Sequence, residues 1–314
     1  MTPQLNIPVC LARCDSYDPQ VLVSLLQEQL DLLAVPADLS ARKILLKPNL
    51  ISAKAPALAC SNPFFVAAAA SCFLSRGARV LLGDSPAFGP AAQVLERHGF
   101  RTALCGLQVE EVPFVTMSKK KLACGLTLGV AAEALDCDYF VNLPRIKAHD
   151  QMGVTMAVKN VFGIVLGARK AWLHMRHGRS HQDFAEMILD LLQLLPPTLA
   201  LADGIEVMNE RGPMFGVPAA LGCVAASKNC VALDRALLAV LEVGKERSPL
   251  AVAAQKSALP GACLHDLEFP QLYPRDFGGS GFRVPTVLNP IKFRPFRYLR
   301  SSCRRILLEL RGKI

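Results

Sequence analysis

KILLKPNL, residues 43–50, is the stretch on which the fold turns. Its first four residues form an apolar run too short for a buried helix and typical of a buried strand. Lys47-Pro48-Asn49 ends the run with polar and φ-restricted residues. Reading outward, Ser61-Asn62-Pro63 has the signature of a helix start. The spacing predicts a helix from Pro63 to about Ser75, closed by Arg76-Gly77. Ala78–Leu82 (ARVLL) reads as the next strand, broken at Gly83-Asp84-Ser85-Pro86, and a helix follows from about Pro90 to His98. Strand–helix–strand–helix alternation with short connections argues for an α/β fold: a largely parallel or mixed central sheet flanked by helices.

Further along, strands are expected at 109–116 and 121–130 around a turn at 118–120, then at Tyr139–Leu143, Leu199–Ala202 and Leu221–Ala226. Asp203-Gly204 is expected to close the strand that precedes it. Ser180–Asp183 resembles a capping box opening a helix to about Leu195, and Val231–Leu241 reads as another helix. The chain of 314 residues is 52% hydrophobic with a mean hydropathy of +0.31, enough apolar content for a sizeable core. Residues 1–290 are read as a single α/β domain and 291–314 as a basic amphipathic C-terminal helix.

The most apolar run, Phe64–Leu74, is about half the length a bilayer requires. The first fifteen residues lack the basic and apolar regions of a secretory signal. A cytoplasmic location is expected, with peripheral attachment at a membrane left open. Eleven cysteines are scattered without C-x-x-C spacing, so an iron–sulfur cluster is not expected.

The net charge of +9 is unevenly placed. From Arg145 to His181, seven Lys and Arg face only Asp150, a local +6. From Ile291 to Ile314 the balance is +7, which leaves −4 for the rest. Phe296, Leu299, Cys303, Ile306, Leu307 and Leu310 follow helical spacing, with arginines on the other face. Such a helix suits an anionic membrane surface or a protein partner, or packs on its own domain. Nucleic acid is the weaker match.

Polar groups recur directly after apolar strands: Lys47 and Asn49, Asp84 and Ser85, Lys147 and His149, Asp203. Ligands of open parallel sheets bind beyond the carboxyl ends of the strands. Either aspartate alone would be an ordinary turn residue. The set points to a cleft for a small carboxylate or phosphate anion.

Six stretches resemble the family named for domain of unknown function 362. They are KILLKPNL, ARVLLGDSP (78–86), YFVNLPRIKAH (139–149), AVKNVFGIVLGARKAWLH (157–174), ADGIEVMNERGPMFG (202–216) and CVALDRAL (230–237). The likeness covers about residues 43–240. The family implies no settled reaction, and some members carry a ferredoxin-like iron–sulfur segment that this chain lacks. Arg145 and Ala148 stand where the family usually has lysine and threonine.

Lys147, His149 and Lys159 are the expected acid–base residues, because a lysine among cations in a dry cleft loses proton affinity. Lys47, Asn49, Asp84, Ser85, Asn160, Lys170, His174 and Asp203 are the expected ligand-binding residues. Gly163 and Gly167, four apart, suggest close approach of a backbone or a ligand. His174, His177 and His181 have metal-compatible spacing, but Gly178 and the cap at Ser180 interrupt a helix there, so no metal ligands are assigned. A divalent cation at Asp84 or Asp203 remains compatible with the sequence, and the cofactor is unknown. The rival class is a non-catalytic binding or maturation protein that docks through its basic tail.

Overall fold

The computed structural model describes residues 5–166 and 180–291. Among the described residues thirteen strands run in chain order: β1 (Ile7–Pro8), β2 (Cys10–Arg13), β3 (Lys43–Pro48), β4 (Arg79–Leu82), β5 (Val109–Glu111), β6 (Met117–Lys121), β7 (Thr127–Ala131), β8 (Tyr139–Leu143), β9 (Arg145–His149), β10 (Gly153–Thr155), β11 (Thr198–Asn209), β12 (Val217–Ser227) and β13 (Leu267–Glu268). The central sheet has the order β10-β9-β11-β8-β3-β4-β5, with β12 pairing β11 and β2 pairing β12. β11, β8, β3, β4 and β5 are mutually parallel neighbours. β10, β12 and β2 enter antiparallel. The α/β class with a mixed sheet is therefore what the chain forms.

The helices start where the sequence provides caps. Asn62 accepts from the backbone N–H of Phe64 and Phe65 ahead of the Pro63–Leu74 helix, with Pro63 in the first turn. Ser180 accepts from Asp183 N–H at the start of the His181–Leu192 helix. The two large apolar clusters, one on each side of the sheet, bury alternate residues of the strands. Leu45 and Phe140 face one side; Ile44, Leu46 and Val141 face the other.

Three sequence readings need correction. Lys119 and Lys120 do not form a turn; β6 continues to Lys121, alternates exposed and half-buried residues, and pairs antiparallel with β7. Asp203-Gly204 does not end its strand, because a register shift between Gly204 and Glu206 absorbs the irregularity and β11 runs on to Asn209. A Cβ at Gly204 would stand 2.7 Å from Cys223 O, so the bare backbone permits the close pairing. Lys147 and His149 belong to β9, a strand that resumes directly after Pro144, and not to a loop.

Candidate functional site

The buried polar core of the molecule forms where β3, β4, β8 and β9 meet the short helix Ala157–Asn160. Lys47, Asn142, Lys147, Asn160 and Asp84 are all buried there. Asp234, on the facing Cys230–Val240 helix, sets the position of that short helix. Its carboxylate accepts the N–H groups of Ala157 (2.7 Å) and Val158 (3.1 Å). Burial pushes the Asp234 carboxyl up to about 7 against the pull of those two N–H bonds.

A directed chain of amides crosses the site. Asn142 Nδ2 donates to Ala157 O (2.7 Å), and Asn160 Nδ2 donates to Asn142 Oδ1 (2.7 Å). Asn49 Nδ2 donates to Asn160 Oδ1 (2.7 Å), and Lys147 Nζ donates to Asn49 Oδ1 (2.5 Å). Each amide uses its oxygen towards one neighbour and its nitrogen towards the next, so no member can flip without breaking two bonds.

The three lysines differ in how they are used. Lys47 Nζ donates to Pro48 O (2.8 Å) and Asn160 Oδ1 (3.2 Å) and pairs with Asp84 Oδ1 (2.8 Å). The carboxylate at ion-pair distance, beside two hydrogen-bond acceptors, favours the ammonium form. Burial lowers its proton affinity, and the Asp84 carboxylate restores part of it. Lys147 Nζ donates to Asn49 Oδ1 and Ala59 O, its two acceptors among the described residues. Burial, joined by the charges of Arg145, Lys159 and Lys47, brings the Lys147 amine down to about 7, with Cys60 opposing. Lys159 has no hydrogen-bond acceptor among the described residues. Its ammonium lies 5.2 Å from the Phe162 ring centroid and 5.9 Å from that of Phe184. Burial and the Lys47 charge lower it to about 8.

His149 points to the same side of β9 as Lys147, as alternation along an extended strand requires. Its Nδ1 accepts from Gln151 N–H (3.1 Å) and Met152 N–H (3.2 Å). An accepting Nδ1 carries no proton, so the ring is held as the neutral tautomer with its proton on Nε2.

The structure brings Lys47, Asn49, Asp84, Lys147, Lys159 and Asn160 together. Ser85 follows Asp84, half-buried. Asp203 belongs to a neighbouring network instead, because register pairs it with Arg145 across β11 and β9. It accepts from Tyr17 Oη (2.8 Å) and faces Arg145 Nε at 3.6 Å, and Arg145 also holds Glu206 (2.9 Å). Lys170 and His174 lie outside the described residues, as do Gly167, His177 and residues 292–314. Of the histidine triplet, His181 accepts its place at a helix start, with Nε2 3.0 Å from Asn289 O.

Sequence reasoning missed the loop Ala59-Cys60-Ser61. Ala59 O accepts from Lys147, and Cys60 O accepts from Arg145 (3.5 Å). Ser61 Oγ donates to Leu143 O (2.5 Å) and accepts from Asn49 N–H (2.7 Å). Behind it, the Cys60 thiol meets His98, whose Nε2 lies 3.0 Å from Ser52 O. Burial raises the Cys60 thiol, but hydrogen bonds from His98 and Ile51 and the charges of His98 and Lys147 outweigh it and lower it overall. Asp234 was also missed. A carboxylate in the apolar run CVALDRALLAV was the available signal.

A group of three metal-compatible side chains, Cys263, His265 and Asp266, lies on a different segment of the chain. It contributes nothing to the lysine cluster.

A model of the family described as domain of unknown function 362 matches residues 44–239. The chain belongs to this family. It is 35% identical over 313 residues to a thylakoid-associated protein of Synechocystis, across 96% of this chain and 95% of that one. Among solved structures, the lactate racemase apoprotein of Thermoanaerobacterium thermosaccharolyticum is similar at a TM-score of 0.42 and 14% identity, covering 64% of this chain and 52% of that one. A structural-genomics protein of Thermotoga maritima is similar at a TM-score of 0.48 and 10% identity, covering 79% of this chain and 60% of that one. The chain thus spans about half to three fifths of those solved chains. For this DUF362 chain the functional reading comes from its own residues.

Proposed function

We propose that this DUF362 protein binds a small carboxylate or phosphate anion between Lys147 and Lys159, and that Lys147 and His149 supply acid–base chemistry to it. One observation carries this reading: the uneven use of two buried lysines, Lys47 and Lys147, and the half-buried Lys159. Among the described residues Lys47 has three partners, one of them a carboxylate, whereas Lys147 has two acceptors and Lys159 has none. Among the described residues Asp84 is the one carboxylate paired with this group, and Lys47 takes it. Cations held close in a dry site stabilise each other poorly, and an incoming anion relieves that repulsion. Ser85, Asn160, Lys170 and His174 are assigned to the same ligand from sequence.

Calorimetric titration of the full chain with acetate and with inorganic phosphate tests the reading. One of the two should bind, and Lys159→Met should weaken it roughly 10-fold or more, as expected for a lost charge-assisted bond. Equal affinity in the variant would remove the site.

A second reading concerns location. The Synechocystis relative is named thylakoid-associated, and residues 291–314 carry +7. Among the described residues no helix is long and apolar enough to cross a membrane. Peripheral attachment through the basic tail to anionic lipid fits these observations. Co-sedimentation with anionic vesicles that disappears on deletion of 291–314 is the expected result; undiminished binding by the truncated chain would remove this reading.

A further inference from the structure

We propose that the anion taken by this site carries a carbonyl group, making it an oxo acid, and that Lys147 holds it as an imine. This rests on the anion-binding reading above and specifies the ligand and the bond it forms.

The geometry around Nζ is the basis. Its two acceptors are both fixed: Ala59 O by the short 3-10 turn Ala57–Ala59, and Asn49 Oδ1 by the amide chain from Asn142 through Asn160. A neutral amine has two N–H bonds and one lone pair. With both N–H bonds committed to fixed oxygens, the lone pair is left at the remaining tetrahedral position. Lys47 is built the other way: three partners, one of them a carboxylate, hold it as an ammonium with no lone pair. The site therefore contains one amine arranged as a nucleophile beside one arranged as a fixed charge. Lys159, whose ammonium lacks an acceptor among the described residues, is the group for the carboxylate end of the same ligand.

The bond changes balance without an oxidant or reductant. The Nζ lone pair attacks the carbonyl carbon, and the carbonyl π electrons move to oxygen, which takes a proton. Nζ then returns a proton to the medium, the hydroxyl takes a second proton and leaves as water, and the C=N bond forms: amine plus carbonyl plus one proton from the medium gives protonated imine plus water. In the protonated imine Nζ keeps one N–H, which one of the two acceptors retains. Lys147 is 1% exposed, so bulk water has little access to hydrolyse the product.

The test uses the full chain with pyruvate or glyoxylate and sodium cyanoborohydride, which reduces C=N to a stable secondary amine, followed by peptide mapping. The expected result is an adduct on the Lys147 peptide, absent in Lys147→Met and reduced about 10-fold in Lys159→Met, which keeps the amine but loses the anion contact. If Lys147→Met does not fold, the position of the adduct in the unaltered chain decides. Label spread over exposed lysines such as Lys119 and Lys121, with none on Lys147, overturns the proposal. Calorimetry separates the two levels. An oxo acid that binds without an adduct defeats the imine and leaves the anion site standing, whereas absence of both binding and adduct defeats both.

Discussion

Gly163 stands against the Lys47–Asp84 ion pair so closely that a methyl group there would overlap Asp84 Oδ1 and Lys47 Nζ together. The 3-10 turn Val161–Ile164 can therefore cover the pair only because residue 163 has no side chain. Gly163→Ala is expected to cost about 1–3 kcal/mol, the usual range for overpacking a tight core. It should also weaken anion binding, since the turn follows directly on Lys159 and Asn160. Urea denaturation and calorimetry read the two effects; an unchanged midpoint would show that the turn yields freely.

Removing one partner of a buried ion pair leaves the other charge uncompensated. Asp84→Ala should therefore lose roughly 3–5 kcal/mol of stability, and Lys47→Met/Asp84→Leu should recover much of it. Asp84 also accepts Leu50 N–H (2.8 Å), so recovery should be incomplete. Thermal or chemical unfolding of the single and double variants measures both statements.

The reactive state needs Lys147 neutral and Lys159 charged. The first holds above about 7 and the second below about 8. Imine trapping should thus pass through a maximum between those values, falling on the acid side as Lys147 takes a proton and on the alkaline side as Lys159 loses one. A rate that climbs steadily to pH 10, as for surface lysines, would contradict this.

The Cys60–His98 pair acts on Lys147 from behind. The negative character of the Cys60 sulfur helps Lys147 keep its proton, so Cys60→Ala should lower the Lys147 value further below 7. The acid limb of the trapping profile should shift to lower pH with the alkaline limb unmoved. A shift of both limbs, or of neither, would mean that Cys60 only packs.

Asp234 and Lys147 give stability opposite slopes in adjoining pH windows. The Asp234 carboxyl is raised from 3.8 to about 7, so its contribution is complete below 3.8 and is lost as pH rises through about 7. The Lys147 amine is lowered from 10.5 to about 7, so its contribution is present above 10.5 and is lost as pH falls through about 7. Asp234→Asn should flatten the unfolding free energy between pH 4 and 7 while leaving the alkaline slope intact, as measured by urea titration across pH.

Much of the site was legible because a parallel sheet brings the carboxyl ends of its strands to one edge. Lys47 lies at the carboxyl end of β3, Asn49 and Asp84 follow β3 and β4, and the run Ala157–Asn160 delivers Lys159 and Asn160 to them. Asp203 shows the limit of the rule. It too follows an apolar run, but the strand continues through it and interstrand register, which no local pattern encodes, places it beside Arg145. The loop Ala59–Ser61 was illegible for a related reason: two of its contributions are backbone carbonyls, which any residue carries. His98 and Asp234 reach the site through tertiary packing across distant segments, where spacing gives no sign.

The central claim is that Lys147 exchanges its proton near neutral pH, at about 7, and not in the ordinary lysine range. Lysine side-chain NMR across a pH titration, with Lys147 assigned by its loss in Lys147→Met, measures this directly. One lysine signal should titrate at about 7, and that signal should be the one missing from the variant. Titration of every lysine near 10.5 would contradict the account.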